Sequence, residues 1–341
     1  MLSTKTAGPV TLAFWGLPLQ ALALVVWCSA ARVDAQTAAP KPPFTGNDED
    51  GFHFAVEEIE GTIRLDGAYH GVTRLVDKRT GRQVIDPRYS ALNLFKLMAV
   101  NLVMGQPRNM ERTVQATPHW VEAEWTATET HRAEMTARYE VHRPNAVDLT
   151  VTVRSRGTYA GYELFLSSYF DKSLRPHVYL RPRSGQAADL VVPTVNDVFR
   201  GTVLVFARDA HAARPCLDGR WDRKEGPTPT VQMCPVRHYA RCVAFMADPD
   251  RQLGVVLMAR PCDGYAISTR YHADREDDRL TTYSAFDLSL FGGDLVAGDE
   301  RTVKVRLAVT PLDGELSQPV KLYEEFLAQA PDPSESKGAS P

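Results

Sequence analysis

Residues 161–180, GYELFLSSYFDKSLRPHVYL, run from a strand pattern straight into a dense group of reactive and stacking side chains. Leu164 and Leu166 alternate with Phe165 and Ser167, then Asp171, Lys172, Arg175 and His177 gather beside Tyr169, Phe170 and Tyr179. Aromatic rings next to titratable groups are what a sugar site needs: rings to stack on, and a group near neutral pH to move a proton. His177 and Asp171 are the catalytic candidates here, and Arg175 suits a bidentate grip on a sugar carboxylate. The plain alternative is a turn capped by Asp171 and Arg175, stiffened by Pro176, with aromatics in the core.

Other clusters compete with this one. In RDAH, Asp209 precedes His211 by two residues after the apolar run TVLVFA, so His211 is a second acid or base candidate. Arg270 in STRYHADRE and Trp221 in DGRWDRKEG are candidates for substrate binding. The bland reading of these is a solvated charge run and a loop's own small core. Trp120, Glu122 and Glu124 share a strand face in HWVEAEW, with alternate residues about 6.6 Å apart. Glycoside cleavage uses carboxylates roughly 5 to 9.5 Å apart, so a hydrolase is geometrically open, although paired glutamates on a wet face are commoner.

The elements that position these groups are strands. In EMTARYEV, Met135, Ala137, Tyr139 and Val141 share one face; HRPN turns the chain; and VDLTVTV returns with Val147, Leu149, Val151 and Val153 inward. TIRLDG, HWVEAEW and VKVRLAV repeat the alternation, and CVAFMADPDRQLGVVLMA reads as a hairpin turning at Asp248-Pro249-Asp250. A helix is expected in VKLYEEFLAQ, with Leu322, Phe326 and Ala330 on one face; Ala91 to Met104 reads as helix or as buried strand and loop. No strand-helix alternation and no glycine-rich phosphate loop appear, so the body reads as a single all-β domain with no cofactor or metal.

Composition and chain ends set the context. A formal charge of -3 with 24% charged residues, and no basic stripe, argues against a nucleic-acid partner. Lys5, the apolar run Thr11–Ala30 and Val33-Asp34-Ala35 before Gln36 form a signal-peptide pattern over residues 1–35. A retained anchor competes with it, weakened by Pro18 and Gln20, and a lipidated Cys28 is disfavoured by Trp27. The expectation is therefore export to the periplasm or beyond, without stable membrane insertion once the signal is removed. Residues 36–51 read as a flexible linker, 52–328 as the folded domain and 329–341 as a disordered tail. Cys216, Cys234, Cys242 and Cys262 remain, an even number that in an exported chain points to disulfides with three possible pairings, ahead of zinc.

Several segments resemble galactose-mutarotase-like (aldose-epimerase-like) proteins. YHGVTRLVDKRTGRQVI, with Leu75, Asp77, Lys78, Gly81, Arg82 and Val84, is similar to that family's opening hairpin. ARYEVHRPNAVDLTVTVRSRG and LSLFGGDLVAGDERTVKVRLAV resemble its paired and closing strands, with Val296-Ala297-Gly298-Asp299 lacking the usual proline. The resemblance, spread thinly over residues 60–310, implies a large antiparallel β-supersandwich with one or two short helices, and a carbohydrate or polysaccharide partner. In aldose epimerases the matching strand reads N-H-x-Y-F-N, and its histidine protonates the sugar ring oxygen. Tyr169-Phe170 falls on the Tyr-Phe pair, but Ser167 stands at the histidine. An unactivated serine hydroxyl cannot serve as that acid. The expected function is thus an exported carbohydrate-binding or carbohydrate-processing protein that is not a true aldose 1-epimerase. The alternatives are a non-catalytic envelope-binding or structural module, and a lyase or glycoside hydrolase on the same fold.

Overall fold

The computed structural model describes residues 44–47, 49–182, 188–195, 202–221, 231–248, 250, 252–271 and 283–329. The signal-peptide reading and residues 330–341 of the tail lie outside them. Twenty strands in three sheets dominate the described residues. A five-stranded meander holds β1 (Phe44–Asn47), β2 (Gly51–Ala55), β3 (Ile59–Arg64), β4 (Gly71–Asp77) and β5 (Arg82–Gln83). A nine-stranded sheet runs, in spatial order, β13 (Asp189–Val191), β12 (Arg175–Leu180), β16 (Tyr239–Asp248), β17 (Leu253–Ala259), β20 (Glu300–Pro311), β10 (Ala146–Ser155), β9 (Ala133–His142), β8 (Trp120–Trp125) and β7 (Thr113–Ala116). A six-stranded sheet runs β15 (Val231–Met233), β14 (Thr202–Ala207), β18 (Gly264–Arg270), β19 (Ser284–Leu295), β11 (Tyr159–Phe170) and β6 (Asn93–Met98). All these pairs are antiparallel except β14 with β15.

The expected all-β architecture of large antiparallel sheets is therefore present, with its core where alternation puts it. Val147, Leu149, Val151 and Val153 of β10 and Val303, Val305, Leu307 and Val309 of β20 meet Leu164, Leu166 and Phe170 of β11 and Phe286, Leu288 and Leu290 of β19 in one buried cluster. Burying each such side chain is worth roughly 1.5 to 3 kcal/mol, which ties the two large sheets together.

Two expectations need correction, and one open reading is decided. Residues 44–47 form β1 rather than the end of a linker, because Phe44 is buried edge-on against Phe54. Of the two readings of Ala91–Met104, strand and loop holds: the stretch gives β6 and then irregular chain leading to a 3-10 turn at Pro107–Asn109. The C-terminal helix α2 (Gln318–Ala328) does form, but it buries Pro319, Tyr323 and Phe326. Its stripe thus centres on Tyr323 and Phe326, since Tyr323 Oη accepts the Cys242 amide and Arg306 lies over the Phe326 ring. A further helix, α1 (Ala210–Leu217), starts where Asp209 caps the Ala212 amide at 2.8 Å.

Candidate functional site

Strand alternation gives the six-stranded sheet a second face, turned away from the core. On it stand Phe165, Ser167 and Tyr169 of β11, Asp287 and Ser289 of β19, and Ser268 and Arg270 of β18. Cross-strand register sets Ser167 opposite Asp287, and Asp287 opposite Ser268, so three polar side chains form one row. Arg270 stands one pleat further on, beside Ala285 and Tyr169.

Loops add aromatic rings to this row. Tyr69, Tyr89, Tyr169 and Tyr283 contact one another at ring-centroid distances of 4.9 to 6.1 Å, mostly edge to face. Arg270 donates to the Tyr283 hydroxyl at 3.1 Å, and Arg88, paired with Asp86 at 2.7 Å, lies 5.1 Å from the Tyr89 ring. A second group, Trp221, Phe165 and Phe95, follows along the same face, with centroids 4.5 and 6.2 Å apart. Trp221 is held there by its neighbour Arg220, which donates to Glu163 at 3.0 Å and to the Gly161 carbonyl at 2.7 Å. Tyr69 is exposed and Tyr89, Tyr283 and Phe95 are half-buried, so ring edges and faces remain open to a ligand.

The electrostatics single out Asp287. Burial pushes its carboxyl up to about 7, against the opposing pull of the Ser167 hydroxyl, the Ser168 amide and Arg270. Near neutral pH it both holds and releases a proton, so it donates to one oxygen or accepts from another. Its Oδ1 and the Ser268 hydroxyl have no hydrogen-bond partner among the described residues. Buried polar atoms without partners cost about 1 to 3 kcal/mol each, which a ligand hydroxyl would recover. Burial likewise holds the Tyr169 phenol well above its ordinary value, with the Asp287 charge adding to it.

Three of the residues read from sequence, Tyr169, Arg270 and Trp221, share this face. The other four do not. His177 lies on the outer side of the nine-stranded sheet, stacked on Phe245 at 4.6 Å and donating from Nδ1 to the Arg175 carbonyl at 2.9 Å. It lines a separate cavity of about 250 Å³ with Ala247, Gln252, Leu312 and Asp313, and burial lowers its basicity. Asp171 is the turn residue of the plain reading: it accepts from the Ser173 amide at 3.0 Å and from Arg82 at 3.2 Å. Arg175 is exposed on β12, and His211 is exposed on the first turn of α1. Among the described residues no cluster of metal-ligating side chains occurs.

The tryptophan and glutamates of β8 also take the plain reading. Arg138 pairs with Glu122 at 2.8 Å and lies 4.4 Å from the Trp120 ring, closing that face with its own ions. The four cysteines are free thiols here instead of two bridges. Cys242 is fully buried against the Gly264 carbonyl, whereas Cys262 is exposed and turned to Asp263 at 3.3 Å. Cys216 and Cys234 do pack together, and donation from the Cys216 thiol brings Cys234 down to about 7.

Asp287 escaped the sequence reading, yet a signal exists: in AFDLSLF a carboxylate and a serine take alternate positions between apolar residues.

No protein-family model matches the chain, and no curated protein matches it. Solved structures do. A putative aldose 1-epimerase from Escherichia coli K12 is similar at a TM-score of 0.48 and 10% identity, over 76% of this chain and 98% of that one. An aldose epimerase homologue from C. elegans is similar at 0.43 and 9% identity, over 76% and 98%. A heparan sulfate lyase mutant from Pedobacter heparinus is similar at 0.41 and 6% identity, over 80% of this chain but 36% of that one. The likeness is one of fold. What the outer face does is argued from its own residues.

Proposed function

We propose that the outer face of the six-stranded sheet binds carbohydrate, with the tyrosines as stacking platforms and Asp287 and Ser268 as its hydrogen-bonding floor. The observation that carries this reading is the pair of unpartnered buried oxygens on Asp287 and Ser268, set beside four mutually packed tyrosines. A sugar offers both complements at once: C–H faces for rings and hydroxyls for the orphaned atoms. Titration with an oligosaccharide panel, followed by tyrosine and tryptophan fluorescence, tests it. The double change Tyr89→Ala with Tyr283→Ala should weaken binding about tenfold, since an aromatic contact is worth roughly 0.5 to 1.5 kcal/mol. Unchanged affinity in that variant would remove the face from consideration.

The same chemistry argues for binding over epimerisation. Opening a pyranose ring needs an acid and a base together. Asp287 supplies one titratable group, Ser167 supplies none, and the Tyr169 phenol is held well above the useful range. Freshly dissolved galactose or glucose is therefore expected to mutarotate in the presence of the protein at the buffer rate by polarimetry. A lyase is disfavoured on the same ground, since Tyr89, Tyr169 and Tyr283 are all held above their ordinary values by burial.

Export completes the proposal. It rests on Lys5, the apolar run and Val33-Asp34-Ala35. In an oxidising compartment the adjacent Cys216 and Cys234 would be the pair to join, leaving Cys242 and Cys262 as thiols. Intact mass of the secreted protein should begin at Gln36, and alkylation should find two free thiols. A chain retaining residues 1–35 would refute cleavage and favour the retained anchor.

A further inference from the structure

Arg108 is the charged group that the neutral part of this site leaves unexplained. It belongs to the 3-10 turn Pro107–Asn109 and is half-buried. Its guanidinium carbon lies 4.1 Å from the Phe95 ring centroid and 6.0 Å from that of Tyr69. It therefore stands at the junction of the two aromatic groups, with Trp221, Phe165 and Phe95 on one side and the tyrosines on the other. Its Nε donates to Gln106 Oε1 at 2.8 Å, and that neutral oxygen is the acceptor it has. Among the described residues no carboxylate lies within ion-pairing distance of it.

The more deeply buried arginines of this protein have carboxylate counter-ions: Arg82 has Asp171, Arg220 has Glu163 and Asp218, and Arg306 has Asp148. A half-desolvated cation held over two rings with its terminal nitrogens uncommitted is poised for an oxyanion, which a planar guanidinium grips through two parallel hydrogen bonds. The rings beneath contribute attraction to the cation but cannot neutralise it.

We propose that the carbohydrate bound on this face is acidic, and that Arg108 pairs with an oxyanion carried on the sugar, a carboxylate or a sulfate ester. This rests on the carbohydrate reading of the face. The residue next to the one stacked on the tyrosines would bring its oxyanion to Arg108, while Asp287 and Ser268 take hydroxyls of the first. A neutral glycan would leave the guanidinium unpaired in the bound state, more desolvated than before.

The test compares three probes by calorimetry at low salt: a neutral gluco-oligosaccharide, an oligogalacturonide and a sulfated galactan oligosaccharide. At least one acidic probe should bind about tenfold or more tightly than the neutral one. Arg108→Gln should abolish that preference by weakening the acidic probes, with the neutral probe binding as tightly as before or more tightly and the melting temperature little changed. Arg108→Lys should recover only part, since the charge returns without the fork. Arg154→Gln, which alters an exposed arginine paired with Glu300 on β10, controls for general attraction and should change nothing. The two acidic probes separate carboxylate from sulfate. Equal affinity for neutral and acidic probes would overturn the inference and leave the carbohydrate reading standing, as would a preference that survives Arg108→Gln. Failure of every probe to bind would instead overturn the reading of the face itself.

Discussion

Arg220→Met is expected to destabilise the protein by about 3 to 5 kcal/mol, the cost of removing one partner from a buried ion pair. The side chains of Arg220 and Glu163 are each 1% exposed, and their charged atoms are 3.0 Å apart. Asp218 holds the other edge of the guanidinium at 2.7 Å, and the Ser289 hydroxyl donates to Glu163 at 2.9 Å. Without Arg220 the Glu163 carboxylate keeps only neutral donors in a dry environment. Burial already holds its carboxyl above the ordinary range even with Arg220 present. The variant should therefore meet the penalty partly by protonating Glu163, and its deficit should be smaller at pH 5 than at pH 8. Replacing both residues, Arg220→Met with Glu163→Met, should recover most of the loss, because an apolar pair of similar volume asks for no solvation. Urea denaturation of the three proteins decides it. A loss under about 1 kcal/mol in the single variant would mean that the pair is solvated and does not pin the Trp221 segment to the sheet.

That segment shows what the sequence carries and what it does not. Period-two alternation in residues 135–153 and 303–309 is written in the chain itself, because one face of each strand meets the core and the other does not. The outer face of the six-stranded sheet is not written there. Ser167, Ser268 and Asp287 come from three strands, far apart in sequence, and meet only through the register of β11, β19 and β18. A shift of one residue in any of these would send its polar member into the core. His177 fails for a related reason. Val178, Tyr179 and Leu180 are apolar on both faces of β12, since the loop before α2 covers the outer side, so no alternation reveals which way the histidine points. Tyr169, Arg270 and Trp221 were legible as chemistry before they were legible as neighbours. Cysteine number, in turn, says nothing about distance: Cys216 and Cys234 meet, while Cys242 is buried and Cys262 faces solvent.

Asp287 should make the protein less stable as pH rises from about 4 to 8, and Asp287→Asn should remove that dependence. The carboxyl titrates at about 7 in the folded protein and at its ordinary 3.8 in the unfolded chain. Between those values the folded state holds a proton that the unfolded state has lost, so the unfolded state gains as pH rises. The favourable contribution is complete below pH 3.8, falls through the interval and is gone above pH 7. About three pH units at 1.36 kcal/mol each bring the loss to about 4 kcal/mol. At pH 8 the aspartate is therefore a burden on the fold, and asparagine, nearly its isostere, should stabilise by about 2 to 4 kcal/mol. At pH 5 the unfolded chain has already ionised while the folded carboxyl has not, so the advantage of asparagine should shrink to about 1.5 kcal/mol, and it should vanish below pH 3.8. Oligosaccharide affinity should move the other way, because the amide cannot trade proton donation for acceptance as the ligand's hydroxyls require. A stabilised variant that has lost its ligand is the mark of a group kept for function at a cost in stability. Urea midpoints at pH 5, 7 and 8.5, paired with titrations of the best-binding oligosaccharide, give both readouts from one preparation. Parallel pH dependence in the wild type and Asp287→Asn would show that the carboxyl is hydrated and ionised throughout, and would take from Asp287 its place at the centre of the site.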